Sequence, residues 1–406
     1  MWRKLSENFD GYLKCATYYW VIVSRRIFFF MRDRLFYIDN IRIFTIGLVV
    51  LHHFATSYGA TGDWYYVEGA PDNVFFQIPL TMFTATNQAF FMGLLFFVSA
   101  YFVNGSYERK GPRVFIKERL IRLGIPMVAY IFLLQPITGF IAYRMTTDDQ
   151  APINLLEYLS KGLGMGLGPM WFVEVLIIFS FVYAIFRLWK PINSDRIFPK
   201  TPPSAFAMMK TILCLGLVTG FLRTLIPVGE WIPYLHLQIA HFPQYLLMLF
   251  GGLAASKRGW LNSISVKSGW RWFTFAIVSI IIGFPLIFYF GGAASGNLEP
   301  FMGGWHWQNF IYSIYEQIVG ISLILGLLGI FKGSFNFTNK WVRAFSDSTY
   351  TVYVFHSILI LLVSWAAIPL KMNLLLKFII LAFPCLIFTF AISWLIRKIP
   401  YFSRVL

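Results

Sequence analysis

Apolar segments of about 20 residues recur along the whole chain, separated by short polar turns. A segment of this length crosses the hydrocarbon core of a bilayer when it is folded as an α-helix. The turns are too short to form a separate soluble domain. The pattern therefore predicts an all-α polytopic membrane protein with about ten transmembrane helices. The predicted spans are residues 38–58, 80–103, 120–143, 170–189, 205–228, 236–255, 270–290, 310–331, 349–368 and 374–396.

The composition agrees with this class, since 58% of the residues are hydrophobic, only 13% are charged and the mean hydropathy is +0.64. A net charge of +16 would favour a nucleic-acid partner in a soluble protein. In this chain the basic residues gather in alternate turns, as the positive-inside rule requires, so we expect no nucleic-acid partner. This alternation predicts that both termini are cytoplasmic and that the protein spans the inner (plasma) membrane. The basic turns hold Arg109, Lys110, Arg113, Lys117 and Arg119, then Lys190, Arg196 and Lys200, then Lys257, Arg258, Lys267 and Arg271, then Lys332, Lys340 and Arg343.

The chain divides into three parts on the same grounds. Residues 1–34 form a basic, aromatic arm without the apolar core of a signal peptide, and we expect this arm to lie on the cytoplasmic membrane surface. Residues 35–398 form the transmembrane domain, and residues 399–406 form a cytoplasmic tail. The three cysteines are too far apart to form a metal motif or a disulfide framework, so we expect no metal.

The first span carries ionisable residues at both ends, with Asp39 and Arg42 near its start and His52 and His53 near its end. Ionisable groups within a membrane span are rare and by default indicate a functional site. Arg42 and His53 are separated by roughly 16 Å along a helix and return to nearly the same face, on which Val49 also lies. His52 is turned away from this face, and we expect it only to pack against neighbouring helices.

Four ionisable residues on four different spans fall at one depth near the outer boundary: His53, Glu174, His241 and Glu316. A shared polar pocket would relieve the cost of burying them. Alternatively, His241 and the carboxylates reach the aqueous boundary. A histidine beside a carboxylate activates a hydroxyl as the nucleophile of acyl transfer, so we expect catalytic roles for His53, Glu174 and Glu316.

A second polar layer lies at the cytoplasmic end. Arg119 and Arg122 are three residues apart on one helical face, an arrangement that suits a polyphosphate. Alternatively, the two arginines are ordinary membrane anchors of the cytoplasmic side. If a donor's phosphates bind to this layer, the distance from Arg42 to His53 suits a pantetheine arm that brings a thioester to the histidine. The layer comprises Asp39, Arg42, Arg119, Arg122, Asp347, Tyr350, Tyr353 and His356.

Five motifs, in this order, resemble those of the acyltransferase-3 family of polytopic membrane acyltransferases. They are I-D-N-I-R with His53 fourteen positions after Asp39, F-F-V-S-A-Y-F-V at 96–103, R-L-I-R-L-G-I-P at 119–126, P-M-W-F at 169–172 and Y-T-V-Y-V-F-H at 350–356. The resemblance extends from about residue 34 to residue 398. The chain differs at Ile43 and Ala100, where the family often has glycine.

The resemblance implies a bacterial enzyme that moves an acyl group, most often acetyl, from cytoplasmic acyl-CoA to a hydroxyl of an extracytoplasmic carbohydrate or glycolipid. Acetyl-CoA is then the acyl donor, and the lipid bilayer surrounds the site. His53 matches the family's essential histidine. Its role is that of a general base or of an acylated relay, and we favour the general base because it needs no labile acyl-imidazole. The residues expected to bind acyl-CoA are Arg42, Arg119, Arg122, Tyr350 and His356, and those expected to support the site are Asp39 and Trp171.

Two other functions are compatible with the pattern of spans. A secondary transporter or flippase would also have ten spans with buried charges and glycine-rich breaks, but it would show a repeat between its two halves, which the sequence lacks. A non-catalytic sensor or scaffold explains the two polar layers less well, because buried ionisable groups would then impose a folding cost without a benefit.

Overall fold

The computed structural model describes residues 34–69, 74–147, 153–162, 164, 166–190, 201–232, 235, 237–293 and 296–406. In this part of the chain the regular structure is helical, apart from one isolated β-bridge between Ile232 and Leu237. The predicted arm, residues 1–34, lies outside the described residues except for Arg34. Its position at the membrane surface stays a prediction.

The α-helices of the described chain vary in length from a single turn to more than ten turns. In chain order they are α1 (Phe36–Ser57), α2 (Val74–Arg119), α3 (Ile125–Ala129), α4 (Gln135–Thr146), α5 (Leu155–Ser160), α6 (Trp171–Trp189), α7 (Ala205–Leu225), α8 (Phe242–Arg258), α9 (Trp260–Ser263), α10 (Val266–Val278), α11 (Phe284–Phe290), α12 (Glu299–Met302), α13 (Trp307–Ser334), α14 (Lys340–Ala367), α15 (Leu374–Arg397) and α16 (Phe402–Val405). π-Helical turns at Leu120–Gly124, Tyr130–Leu134 and Ser279–Gly283 join some of them into longer segments.

Eight helical segments of the described chain are long and apolar enough to cross a membrane, so the prediction of an all-α polytopic membrane protein is confirmed. One of them, Gln77–Thr146, is 70 residues long and contains the second and third predicted spans. It bends at Gly111, whose φ of 71° is a conformation that residues with a Cβ rarely adopt. The sixth predicted span corresponds to α8, a shorter helix of 17 residues. The eight segments, one of which contains two predicted spans, together with α8 thus correspond to the ten predicted spans.

Several helix ends follow directly from capping residues in the sequence. The Asn339 side chain accepts hydrogen bonds of 2.9 Å from the backbone N–H groups of Trp341 and Val342, and Asn373 caps α15 in the same way. At the other end of a helix, α8 stops at Gly259, whose φ of 65° is the left-handed conformation typical of a glycine C-cap. These local signals fix where the spans begin and end.

Helix α13 lies at the centre of the bundle. In its most apolar stretch 83% of the residues are buried inside the protein. The value for Val266–Phe290 is 17%, so that segment lies on the outside of the bundle. α13 contacts α1, α2, α7 and α10. Its Gly329 meets Gly269 of α10 backbone to backbone, and a Cβ on either residue would collide with the other. Small residues allow this close approach, which membrane helices use to gain packing contacts.

Helix α1 is enclosed by α2, α13, α14 and α15, so the helix that carries Arg42 and His53 lies inside the protein. The loop after it, residues 58–69, is attached to the bundle by a buried ion pair. The Nζ atom of Lys377, which is fully buried, lies 2.6 and 2.7 Å from the two carboxylate oxygens of Glu68. The Glu68 backbone N–H also donates to the carbonyl of Ser57. The loop therefore has a fixed position over the end of α1.

We expect Lys377→Met to lower the free energy of unfolding by about 2–3 kcal/mol, because it leaves the Glu68 carboxylate without its partner in a largely buried place. Thermal unfolding of the purified protein in detergent measures this change. Lys371→Met serves as the control, since Lys371 is exposed. Equal melting temperatures for the two variants would contradict the proposed importance of the ion pair.

Candidate functional site

The described helices surround two large cavities. The first, which we call the histidine cavity, has a volume of about 430 Å³ and is lined by His52, His53, His241 and Glu316 among other residues. The second, the arginine cavity, has a volume of about 350 Å³, and Arg42, Arg119, Arg122 and Tyr350 contribute to its lining. Polar side chains buried around internal cavities of a membrane protein are the usual mark of a binding or reaction site.

One stripe of α1 faces both cavities. Arg42 and Ile46 line the arginine cavity, whereas Val49 and His53 line the histidine cavity. These residues follow one another at helical spacing on a single face. The cavities therefore lie end to end along α1, with the guanidinium group near one end and the imidazole near the other.

Tyr353 of α14 stands between the cavities and, of the described residues, it alone lines both. Its hydroxyl donates a hydrogen bond to the backbone carbonyl of Pro169, two residues before the start of α6. Its ring lies 6.4 Å from that of Tyr350 and 5.9 Å from that of His356. Three residues of the Y-T-V-Y-V-F-H motif thus form a row of rings from the arginine cavity toward His53.

The surroundings of His53 are aromatic. Its ring stacks on the indole of Trp64, with 3.9 Å between the ring centroids and an interplanar angle of 15°. The rings of His356 and His52 lie 5.3 and 5.1 Å away. Within the described residues, His53 Nδ1 has no hydrogen-bond partner and no carboxylate lies within ion-pair distance of the ring. The expected partnership between His53 and a carboxylate is therefore absent from this part of the chain.

Glu316 instead belongs to a buried ionic cluster on the other side of the histidine cavity. Its carboxylate accepts a hydrogen bond of 2.6 Å from Arg223 Nη2 and lies 3.5 Å from His241 Nδ1. The Arg223 guanidinium is fully buried and also donates to Ser313 Oγ and to the Ala240 carbonyl, each at 3.2 Å. The positive and negative charges compensate one another, which is what allows them to stay inside the membrane.

The structure places two other predicted residues away from their expected surroundings. Glu174 lines neither cavity, and its Oε2 is buried without a hydrogen-bond partner among the described residues. His356 lies beside His53 rather than in the arginine cavity, and its Nδ1 donates to the Tyr353 carbonyl at 2.6 Å. The reason is the helical rise, which carries His356 roughly 9 Å beyond Tyr350.

Three further predicted residues lie at the two cavities or beside a residue that lines them. Trp171 lines the histidine cavity at the start of α6. Asp39 contacts Arg34 at 2.7 Å and Arg42 at 3.5 Å, so it orients the arginine of the first motif. Arg122 lies in the π-helical turn Leu120–Gly124, a distortion that often marks functional sites.

Sequence reasoning missed the importance of Arg223 and Trp64. Arg223 lies near the outer end of the predicted span 205–228, where it resembles a residue of an outer turn. An arginine within a span is nevertheless itself a signal of a functional or structural pair. Trp64 carried no such signal, because a tryptophan just outside a span is ordinarily read as part of the interfacial aromatic belt.

Trp64 is held in place by its neighbours in the loop. The hydroxyl of Tyr65 donates to Gln135 Oε1 at 2.5 Å and lies 3.3 Å from the Tyr130 hydroxyl, which in turn lies 2.9 Å from Ser357 Oγ. Burial, together with the adjacent Tyr130, raises the pKa of Tyr65 well above its usual value, so the hydroxyl keeps the proton that it donates. The Thr61 backbone N–H donates to Thr81 Oγ1 at 3.3 Å, so the loop is attached both before and after Trp64.

These features define a polytopic membrane protein with an internal site in two parts, one suited to an anionic ligand and one lined by histidines. A family model described as an acyltransferase domain matches residues 35–398. This match covers most of the chain, and the chain belongs to the acyltransferase-3 family. The resemblance seen in the five motifs is thus confirmed.

Curated relatives resemble this chain over only part of its length. Proteins named glucans biosynthesis protein C from Salmonella gallinarum, Salmonella schwarzengrund and Salmonella typhi are each 26% identical over 199 residues, which is 48% of this chain and 50% of each relative. The chain thus spans about half the length of the curated relatives it matches. No solved structure matches the chain significantly.

We expect Arg223→Met to lower the free energy of unfolding by about 3–5 kcal/mol, since it leaves the buried Glu316 carboxylate without the arginine that compensates its charge. The double variant Arg223→Met, Glu316→Leu should recover most of this loss, because it removes both charges. Melting temperatures in detergent test this, with Lys210→Met, an exposed lysine on the same helix, as the control. A double variant no more stable than the single one would contradict the pairing.

Proposed function

We propose that this protein is a membrane acyltransferase that moves an acyl group from acyl-CoA in the arginine cavity to a carbohydrate hydroxyl in the histidine cavity, with His53 as the general base. The observation that carries the proposal is the shared face of α1. Arg42 and His53 line adjacent cavities that meet at Tyr353. Family membership supports acyl transfer as the reaction class.

The arginine cavity suits the phosphates of the donor. Arg42, Arg119 and Arg122 converge on it from α1, α2 and the π-helical turn after α2. Guanidinium groups bind phosphate oxygens through charge-assisted, often bidentate hydrogen bonds. From there, the roughly 16 Å to His53 is a length that a pantetheine arm can extend past Tyr353. We propose acetyl-CoA as the donor, because acetyl is the acyl group that the motif resemblance implies.

The reaction needs one group that accepts the proton of the attacking hydroxyl. His53 takes the proton of the acceptor hydroxyl while the hydroxyl oxygen attacks the thioester carbonyl. The carbon–sulfur bond breaks, the acyl group stays on the oxygen as an ester, and the proton passes from the imidazolium to the departing thiolate to give CoA. No metal is needed for this sequence of steps.

The histidine cavity suits a carbohydrate acceptor. Its aromatic lining includes Trp171, Trp231 and Tyr245, and its polar lining includes Gln88 and Glu316. Rings can pack on the apolar faces of a sugar, while the amide and carboxylate oxygens accept hydrogen bonds from its hydroxyls. The name of the curated relatives, glucans biosynthesis protein C, also refers to a carbohydrate. We propose that the role of Glu316 is to bind the acceptor, and not to pair with His53.

We further propose that the arginine cavity opens to the cytoplasm and the histidine cavity to the opposite side of the inner membrane. The alternating basic turns support this orientation. It gives the donor access from the compartment where acyl-CoA is found, and it gives a carbohydrate or glycolipid acceptor access from outside.

His53→Ala should decrease the rate of CoA release from acetyl-CoA, in the presence of a glucan acceptor, by about 1,000-fold, because the general base is lost. The assay uses purified protein in lipid vesicles and a thiol reagent that detects CoA. His306→Ala is the control, since His306 is exposed and lines neither cavity. Full turnover by His53→Ala would contradict the role of His53 as the general base. If the wild-type protein transported the acceptor without releasing CoA, the result would favour a transporter.

Arg122→Ala should weaken the binding of acetyl-CoA by about tenfold, because a charge-assisted contact with phosphate is lost. Isothermal titration of the detergent-solubilised protein measures the Kd. Arg113→Ala provides the matched control. Arg113 is an exposed arginine close to the bend at Gly111, and it does not line the arginine cavity. If both variants bind acetyl-CoA with the wild-type Kd, Arg122 is only a membrane anchor.

A further inference from the structure

The proposed general base lacks the partner that a catalytic histidine ordinarily has. A histidine that accepts a proton becomes an imidazolium, and a hydrogen-bonded carboxylate commonly stabilises that charge. Among the described residues His53 has no such carboxylate, while Glu316 across the cavity is held by Arg223 and His241. Some other group must stabilise a positive charge on His53 inside the membrane.

The indole of Trp64 is in the position to do so. Its ring plane is nearly parallel to the His53 ring, at 15°, and the centroids are 3.9 Å apart, which is within the range of a cation–π interaction. Trp64 is not among the residues that line the histidine cavity, so it covers one face of the imidazole without occupying the space for substrate. Tryptophan has the strongest cation–π interaction of the aromatic side chains.

The surroundings of Trp64 indicate that its ring face, rather than its N–H, is what the site uses. Trp64 Nε1 is buried and has no hydrogen-bond partner within the described residues, which is a cost that phenylalanine would avoid. The loop is held before Trp64 by a hydrogen bond from the Thr61 backbone N–H to Thr81 Oγ1, and after it by the contacts of Tyr65 with Gln135 and of Glu68 with Lys377. A ring fixed in this way needs no reorganisation when His53 becomes charged.

We propose that Trp64 is a positioning residue that stabilises the imidazolium of His53 by a cation–π interaction, in the role that a carboxylate has in other acyl-transfer sites. This inference rests on the proposed function. The titratable and charged groups around His53 are His52 on the same helix, His356 on α14, Asp63 in the loop, and Arg223, His241 and Glu316 across the cavity. All of them stay unchanged when only the electron density of the indole is altered.

The experiment replaces Trp64 in the full-length protein with tryptophan carrying one, two or three ring fluorines, introduced by stop-codon suppression. Fluorine withdraws electron density from the ring face and weakens the cation–π interaction with little change in shape. We expect kcat for acetyl transfer to fall stepwise, by about tenfold across the series. The acidic limb of the kcat/KM profile should move to lower pH, because a less stabilised imidazolium loses its proton more readily.

The same analogues at Trp305 provide the control, since that indole is 75% exposed and its ring contacts are with Phe221 and Phe310. There we expect no change in kcat or in the pH profile. A constant kcat and an unmoved acidic limb across the Trp64 series would overturn the proposal and leave Trp64 a packing residue. Failure of the proposed function is distinguishable, because it would show as equal turnover by the wild type and His53→Ala.

Discussion

The structure depends on how charge is compensated inside the membrane. An isolated charge in hydrocarbon is costly, and the buried Arg223 and Lys377 each lie against a carboxylate, Glu316 and Glu68 respectively. The first pair joins α7 to α13 at the wall of the histidine cavity. The second fastens the loop after α1 to α15. Both ion pairs therefore organise the region around His53 without themselves contacting it.

His53 is placed differently, since its neighbours are rings rather than charges. An uncharged imidazole stacked on Trp64 and close to His356 costs less to keep in the membrane than a charged one would. A site of this kind is suited to a histidine that is neutral at rest and charged only briefly. The opposite wall, with its compensated ionic cluster, is suited to holding the hydroxyl groups of a polar ligand instead.

The two cavities give the site its direction. Their order along α1 places guanidinium groups at one end and imidazoles at the other, and Tyr353 separates them. A ligand that spans both must therefore pass this tyrosine, whose hydroxyl is bonded to the Pro169 carbonyl. The same row of rings on α14 connects the arginine cavity to the neighbourhood of His53. The two parts of the site thus adjoin one another along α1 and α14, with this tyrosine at their boundary.

The sequence by itself determined the helices, because hydrophobic length and local caps such as Asn339 act within a few residues of chain. It also placed Arg42 and His53 on one face of α1, since helical periodicity alone fixes that relation. Only the tertiary structure decided that Glu316 pairs with Arg223 and that Trp64 stacks on His53. Such partners lie on different helices or in a loop, and which side chains meet depends on how the helices pack, a relation that no spacing along the chain encodes.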